Sequence, residues 1–211
     1  MLLTEDDKKA IAETIHKAEA TTSGEIVFAV SDASGRYLQA NFQGALIGMA
    51  AATAVYLLMP AAHSIGMLLW IEILSFALFY ALLPHLPWRR WLVTAQEMET
   101  RVHEAAFVEF FSSGLHRTRE ANGVLIYLSA FERRVVVLGD RGIHEKMGDR
   151  HWDEARDTII RSIREGKARQ GICAAVELCG RGLAEYFPPR PDDVNELPDQ
   201  VIDRRREREA P

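Results

Sequence analysis

The sequence has almost no cysteine, no extended basic stripe and, over two long stretches, almost no charge. Each scarcity excludes something. Only Cys173 and Cys179 are present, six positions apart in a segment that reads as one helix. Six positions turn a helix through about 600°, so the two thiols fall on different faces and cannot bridge. They read as small core residues of a protein from a reducing compartment. The net charge of −5 comes without a basic stripe that would displace counterions from phosphates, which excludes nucleic acid as the main partner. The motifs of common hydrolases are missing too. There is no Cys-x5-Arg, no paired-aspartate phosphatase motif, no Gly-rich phosphate loop and no Gly-x-Ser-x-Gly elbow. His144 and His151 lack the spaced third ligand that zinc needs.

Charge is absent from Gly44 to Ala62, and from Ser64 to Leu83 it is limited to Glu72. A helix crosses a bilayer with about 20 mostly apolar residues. Phe42–Ala62 and Ser64–Leu83 each meet that length, and the short break at Pro60, His63 and Ser64 makes them antiparallel neighbours. The block starts far from the N-terminus, behind a polar helix, so it does not read as a secretory signal. A chain this short has too little other material to bury such a hairpin in a soluble core. Lys and Arg are missing from the link but flank the pair. Arg36 precedes it, Arg89, Arg90 and Arg101 follow it, and Trp88 and Trp91 frame the arginine pair as interfacial aromatics do. Both ends are therefore expected on the cytoplasmic side.

Two details inside the hairpin carry expectations. Gly44, Gly48 and Ala52 form a row of small residues that admits another backbone, either the second helix of the hairpin or a second copy of the chain. Glu72 falls near mid-span, level with Thr53 and Tyr56. It is either a functional carboxylate or a protonated one hydrogen-bonded to Thr53 or Tyr56.

Outside the hairpin the chain is polar and patterned. Thr4 followed by Glu5, Asp6 and Asp7 starts a helix that runs to about Ala20. Glu25–Val30 reads as a buried strand. Trp91, Ala95, Met98, Val102, Ala106 and Phe110 recur at helical spacing up to Gly114. Asn122-Gly123 opens a strand at Val124–Leu128, and Arg134–Gly139 returns from it as a hairpin. Two helices follow, from about His151 to Glu165 and from about Gln170 to Phe187. A long crossover joins the first two strands, which predicts a parallel pair. The expected class is α/β, a small mixed sheet sandwiched by helices, with a two-helix transmembrane hairpin inserted. The boundaries are 1–35 for the first part of the domain, 40–87 for the hairpin, 88–188 for the second part, and 189–211 for a tail whose polarity predicts disorder.

This order resembles the TPM domain family, known from thylakoid lumen proteins linked to photosystem II repair. The residues that carry the likeness are Ser23-Gly24-Glu25-Ile26-Val27, Asn122-Gly123-Val124-Leu125-Ile126-Tyr127 and Val135–Ile143, with Asp149, Trp152 and Tyr186-Phe187-Pro188 matching bacterial relatives. The resemblance implies an α/β/α sandwich. For some members it also implies weak acid-phosphatase activity or calcium binding. Here the membrane segment is internal, and a bacterial inner-membrane protein with a cytoplasmic domain is expected.

The pairing scheme brings Glu25, Asn122 and Asp140 to one sheet edge, with Asp149 a short loop away. Such an oxygen-rich set suits a hard cation, Ca²⁺ or Mg²⁺. The alternative is that Asp140 and Asp149 are loop and cap residues and Glu25 pairs with Arg141. Two functions follow. One is a non-catalytic accessory or quality-control module for a membrane or peripheral protein, with the lipid bilayer as a second partner. The other is a metal-dependent phosphatase-like hydrolase using the acidic edge.

Overall fold

The computed structural model describes residues 3–59, 64–147, 152–190, 195–199 and 201–204. The chain divides into two compact units, one formed by Met1–Ser34 with Glu99–Pro211 and the other by Gly35–Met98.

In the first unit Thr4 caps α1 (Glu5–Glu19). Its hydroxyl accepts from the Asp7 amide, and the Asp7 carboxylate bonds back to the Thr4 amide, which closes a capping box. The sheet holds β1 (Glu25–Ser31), β2 (Gly123–Ser129), β3 (Arg134–Gly139) and β4 (Ile202–Asp203), in the order β3-β2-β1-β4. β1 runs parallel to β2 and β2 antiparallel to β3, as the crossover and the hairpin predict. Both faces are covered, which is why every residue of β1 and β2 is buried. Alternation along β1 sends Ile26, Phe28 and Val30 to one side, against Ile11 and Ile15 of α1, Ile159 of α6 (Asp153–Arg164) and Val176 and Leu183 of α7 (Ala168–Tyr186). Val27 and Ala29 face the other side, against Val102, Ala106 and Phe110 of α4 (Ala95–Ser112). This unit is a mixed α/β sandwich.

Three differences from the sequence reading have physical causes. The helix expected from Trp91 begins at Ala95 because Thr94 accepts the Glu97 amide as a cap, while Pro87–Leu92 winds as a separate 3-10 turn. A short helix, α5 (Arg141–Met147), follows β3 and is too brief to show a period. Gly142 allows it: a Cβ there would lie 2.5 Å from the Glu120 carbonyl oxygen, where the Gly142 amide bonds the Ala121 carbonyl. The tail expected to be disordered supplies β4, and Ile202 and Asp203 pair with Ala29 and Val30. Backbone pairing needs no apolar side chains, so composition could not show it.

The second unit holds α2 (Leu38–Leu58) and α3 (Ile65–Leu82), packed as an antiparallel hairpin. Both are long and apolar enough to cross a membrane, with mean hydropathy 1.3 for Leu38–Leu58 and 2.0 for Ile65–His85. A Cβ on Gly44 would meet Leu83, and one on Gly48 would meet the Phe79 ring, so these glycines serve packing within the hairpin. The edge-on contact of Phe42 with Phe76 joins the same two helices.

Candidate functional site

The pairing register places Glu25 opposite Gly123 and Val124 opposite Gly139. Glu25, Asn122 and Asp140 therefore reach one edge of the sheet, where the Asp140 amide donates to the Gly123 carbonyl at 2.9 Å. Their side chains are then spent locally. Glu25 is 6% exposed, and its Oε1 accepts the Glu196 amide at 3.0 Å. Burial raises its carboxyl above the ordinary range. Asn122 donates Nδ2 to the Ser23 carbonyl at 2.6 Å, tying the turn before β1 to the start of β2. Asp140 Oδ1 accepts the Arg141 amide, and its carbonyl accepts the Ile143 and His144 amides as α5 opens. Asp149 lies outside the described residues. Arg141 pairs with Glu145 at 2.7 Å rather than with Glu25.

Two buried oxygens of this edge have no hydrogen-bond partner, Glu25 Oε2 and Asp140 Oδ2. Among the described residues no three His, Cys, Asp or Glu side chains are arranged to hold a metal ion. The described residues of this edge do not fit a calcium or magnesium site, which needs six or more oxygens.

The carboxylates that do gather are ones the sequence reading passed over. Glu19, the last residue of α1, turns its Oε1 to the Ile26 amide at 2.7 Å. Asp199 from the tail joins it, held by His16 Nδ1 at 2.6 Å and by Asn195. Burial pushes the Glu19 carboxyl up to about 9, and the neighbouring Glu25 and Asp199 carboxylates push it in the same direction. Burial works against Asp199 as well, but its polar neighbours Glu19, Asn195 and His16 hold it below the usual carboxylate range. The only sequence signal was that Glu19 lies close to Glu25, and the partner comes from a tail read as outside the fold.

A second buried carboxylate was also missed. Glu132, fully buried in the β2–β3 turn, accepts the Ser34 amide at 2.9 Å and the Ser129 hydroxyl. Ser34 also bonds Ser129 and Tyr127, so the network fixes the chain just before residue 35. A cavity of about 310 Å³ opens beside β3, lined among others by His103, Val137, His144, Trp152 and Arg156. Cys173 and Cys179 are free, and burial pushes the Cys179 thiol up to about 12, which keeps it an inert core residue.

In the hairpin unit Glu72 and Thr53 are each half-buried, and among the described residues no hydrogen bond joins the Glu72 carboxyl to Thr53 or Tyr56. The Tyr56 hydroxyl bonds instead to the Ser64 amide at 2.9 Å and the Ser64 carbonyl at 3.2 Å, which pins the start of α3. Arg89 donates to the Arg36 carbonyl and lies 5.7 Å over the Tyr37 ring.

A mixed four-stranded sheet with helices on both faces, joined to an apolar helical hairpin, defines an α/β sandwich domain with an inserted hairpin. Residues 89–181 match the model of the TPM domain family. The match begins where the chain leaves the hairpin. Among solved structures, the fold is similar to the NMR structure of BA42 protein from the psychrophilic bacterium Bizionia argentinensis. The TM-score is 0.59 and the identity 24%, over 95% of this chain and 94% of that one. No curated protein matches the chain.

Proposed function

We propose that the protein is a TPM domain anchored by its internal hairpin in the bacterial inner membrane. The domain faces the cytoplasm and acts as a non-catalytic accessory or quality-control module for a membrane or peripheral protein. The observation that carries this reading is α3. None of its 18 residues is buried, and Ile65, Trp70, Ile73, Leu74 and Leu78 are each more than half exposed. An apolar surface of that extent is a liability in water and the ordinary lipid-facing surface of a spanning helix. The way Glu25, Asn122 and Asp140 are spent on backbone groups supports an accessory role over catalysis.

A calcium- or magnesium-dependent phosphoester hydrolase is the rival reading, favoured by the two partnerless oxygens of Glu25 and Asp140. The full chain in detergent, melted and assayed against a generic phosphomonoester with and without each ion, separates the two. The accessory reading expects neither turnover nor an ion-dependent melting shift. Turnover together with a shift that Asp140→Asn abolishes would install the hydrolase instead. Anchoring and topology are read from alkaline carbonate extraction and from a reporter fused after Pro211. Release by carbonate, or activity of a periplasm-only reporter, overturns them.

A further inference from the structure

We infer that the C-terminal half of α4 is a second membrane contact, a patch that seats the TPM domain on the surface of an anionic bilayer. Its core is Phe107, Val108 and Phe111, which are 54%, 69% and 57% exposed. The opposite side of α4 is fully used: Val102, Ala106 and Phe110 fill the core beneath the sheet, and Glu109 is held by Arg204. The exposed residues are therefore surplus to folding. Large apolar side chains grouped on one helix face mark an interaction site.

Two observations select a lipid surface as the occupant. The first is charge. His116 and Arg117 stand exposed just past the end of the helix, and the His116 ring lies 5.1 Å from that of Phe111. The acidic residues of this part of α4 are already paired, Glu104 with Arg101 and Glu109 with Arg204. Arg117 donates its Nε to His116 Nε2, so the exposed cation beside the apolar side chains is the arginine, a combination that suits the boundary between acyl chains and anionic headgroups. The second is continuity. α4 starts at Ala95, three residues after the 3-10 turn that carries Trp88 and Trp91, of which Trp91 is 87% exposed. At 1.5 Å per residue, Phe111 lies only about 24 Å along the helix from that start. A patch tethered by so short a stretch of chain to an inserted hairpin meets the bilayer at high effective concentration, so a small affinity is enough.

This inference rests on the hairpin's being the membrane anchor, and the experiment reads the two separately. The full chain in a Cys173→Ala, Cys179→Ala background takes a nitroxide at Val108→Cys or, in a second sample, at Leu74→Cys in α3. Each is reconstituted into vesicles of phosphatidylcholine with phosphatidylglycerol. Collisions with oxygen, which concentrates in lipid, are compared with collisions with a water-soluble nickel complex. The label at 74 is expected to favour oxygen strongly, and the label at 108 to favour oxygen at interfacial depth. Adding Phe107→Ser and Phe111→Ser, both at exposed positions, returns the label at 108 to water and leaves the label at 74 unchanged. A label at 108 that favours nickel while 74 favours oxygen overturns the docking and spares the anchor. A label at 74 that favours nickel overturns both. A label at 108 shielded from both reagents, with spin–spin broadening, assigns the patch to a second copy instead of lipid.

Discussion

Glu19 ends α1 with one carboxylate oxygen on the Ile26 amide and the other buried without a hydrogen-bond partner. Burial lifts its pKa from 4.5 to about 9, so the folded chain keeps a proton that the unfolded chain releases. The sign follows from linkage. The stability this group contributes is fully present below pH 4.5 and is lost progressively as pH climbs towards about 9. Glu25 is shifted in the same sense by the same cause. Asp199, held below its usual range, works oppositely, but its contribution changes only at acid pH. Glu19→Gln keeps an acceptor for Ile26 without a titratable charge. Melting of the full chain in detergent is expected to fall from pH 5 to pH 9 in the wild type and to be flatter in the variant. Near pH 8 the variant gains roughly 2–4 °C, the shift that about 1 kcal/mol produces at this size. Parallel profiles would show that Glu19 does not carry the dependence. None of this was legible in the sequence, because an acidic residue near a helix end is the commonest of surface features and its partner lies 180 positions away (Glu19 to Asp199).

At the scale of elements, the hairpin is the clearest case of pattern becoming packing. The row at Gly44, Gly48 and Ala52 was visible as spacing, but spacing alone left two partners open. Phe79 and Leu83 of the same hairpin occupy the glycine positions, which settles the packing of Gly44 and Gly48. A branched side chain at Gly48 has to displace the Phe79 ring, and overpacking of this kind costs about 1–3 kcal/mol. Gly48→Ile is expected to loosen the α2–α3 contact, seen as lower fluorescence transfer between labels on the two helices in detergent. Ala51→Ile, on an exposed position of α2, is expected to leave it unchanged. Equal transfer in both variants would mean the hairpin is held by its turn alone. That turn is itself built, since the Tyr56 hydroxyl brackets the Ser64 backbone.

For the whole molecule, the tail decides how the sheet ends. Arg204 donates its amide to the Val30 carbonyl and grips the buried Glu109 through two guanidinium bonds at 2.8 and 2.9 Å. Lys8 holds Asp203 beside it. The tail thus links α1, β1 and α4 and places the Glu196 amide on Glu25. Arg204→Ala leaves a carboxylate of 5% exposure without its cation and is expected to cost about 1–3 kcal/mol, read as a lower unfolding midpoint. An unchanged midpoint would mean that the Arg204–Glu109 pair contributes nothing to the fold.

Local chemistry was enough to determine much of this protein. The Thr4 cap, the helical period of α4, the β2–β3 hairpin and the apolar length of α2 and α3 all depend on residues within a few turns of one another, and each was legible. The parallel β1–β2 pair followed from the length of the crossover. What only the tertiary structure decided depends on residues far apart in the chain. Glu25 was legible as an edge residue, yet its carboxylate is spent on Glu196, 171 positions away. Glu19 and Asp199 meet, and Arg204 reaches Glu109, for the same reason. A pattern along the chain records which face of an element is apolar. It does not record which polar groups folding will bring together, because that depends on the path of the whole backbone.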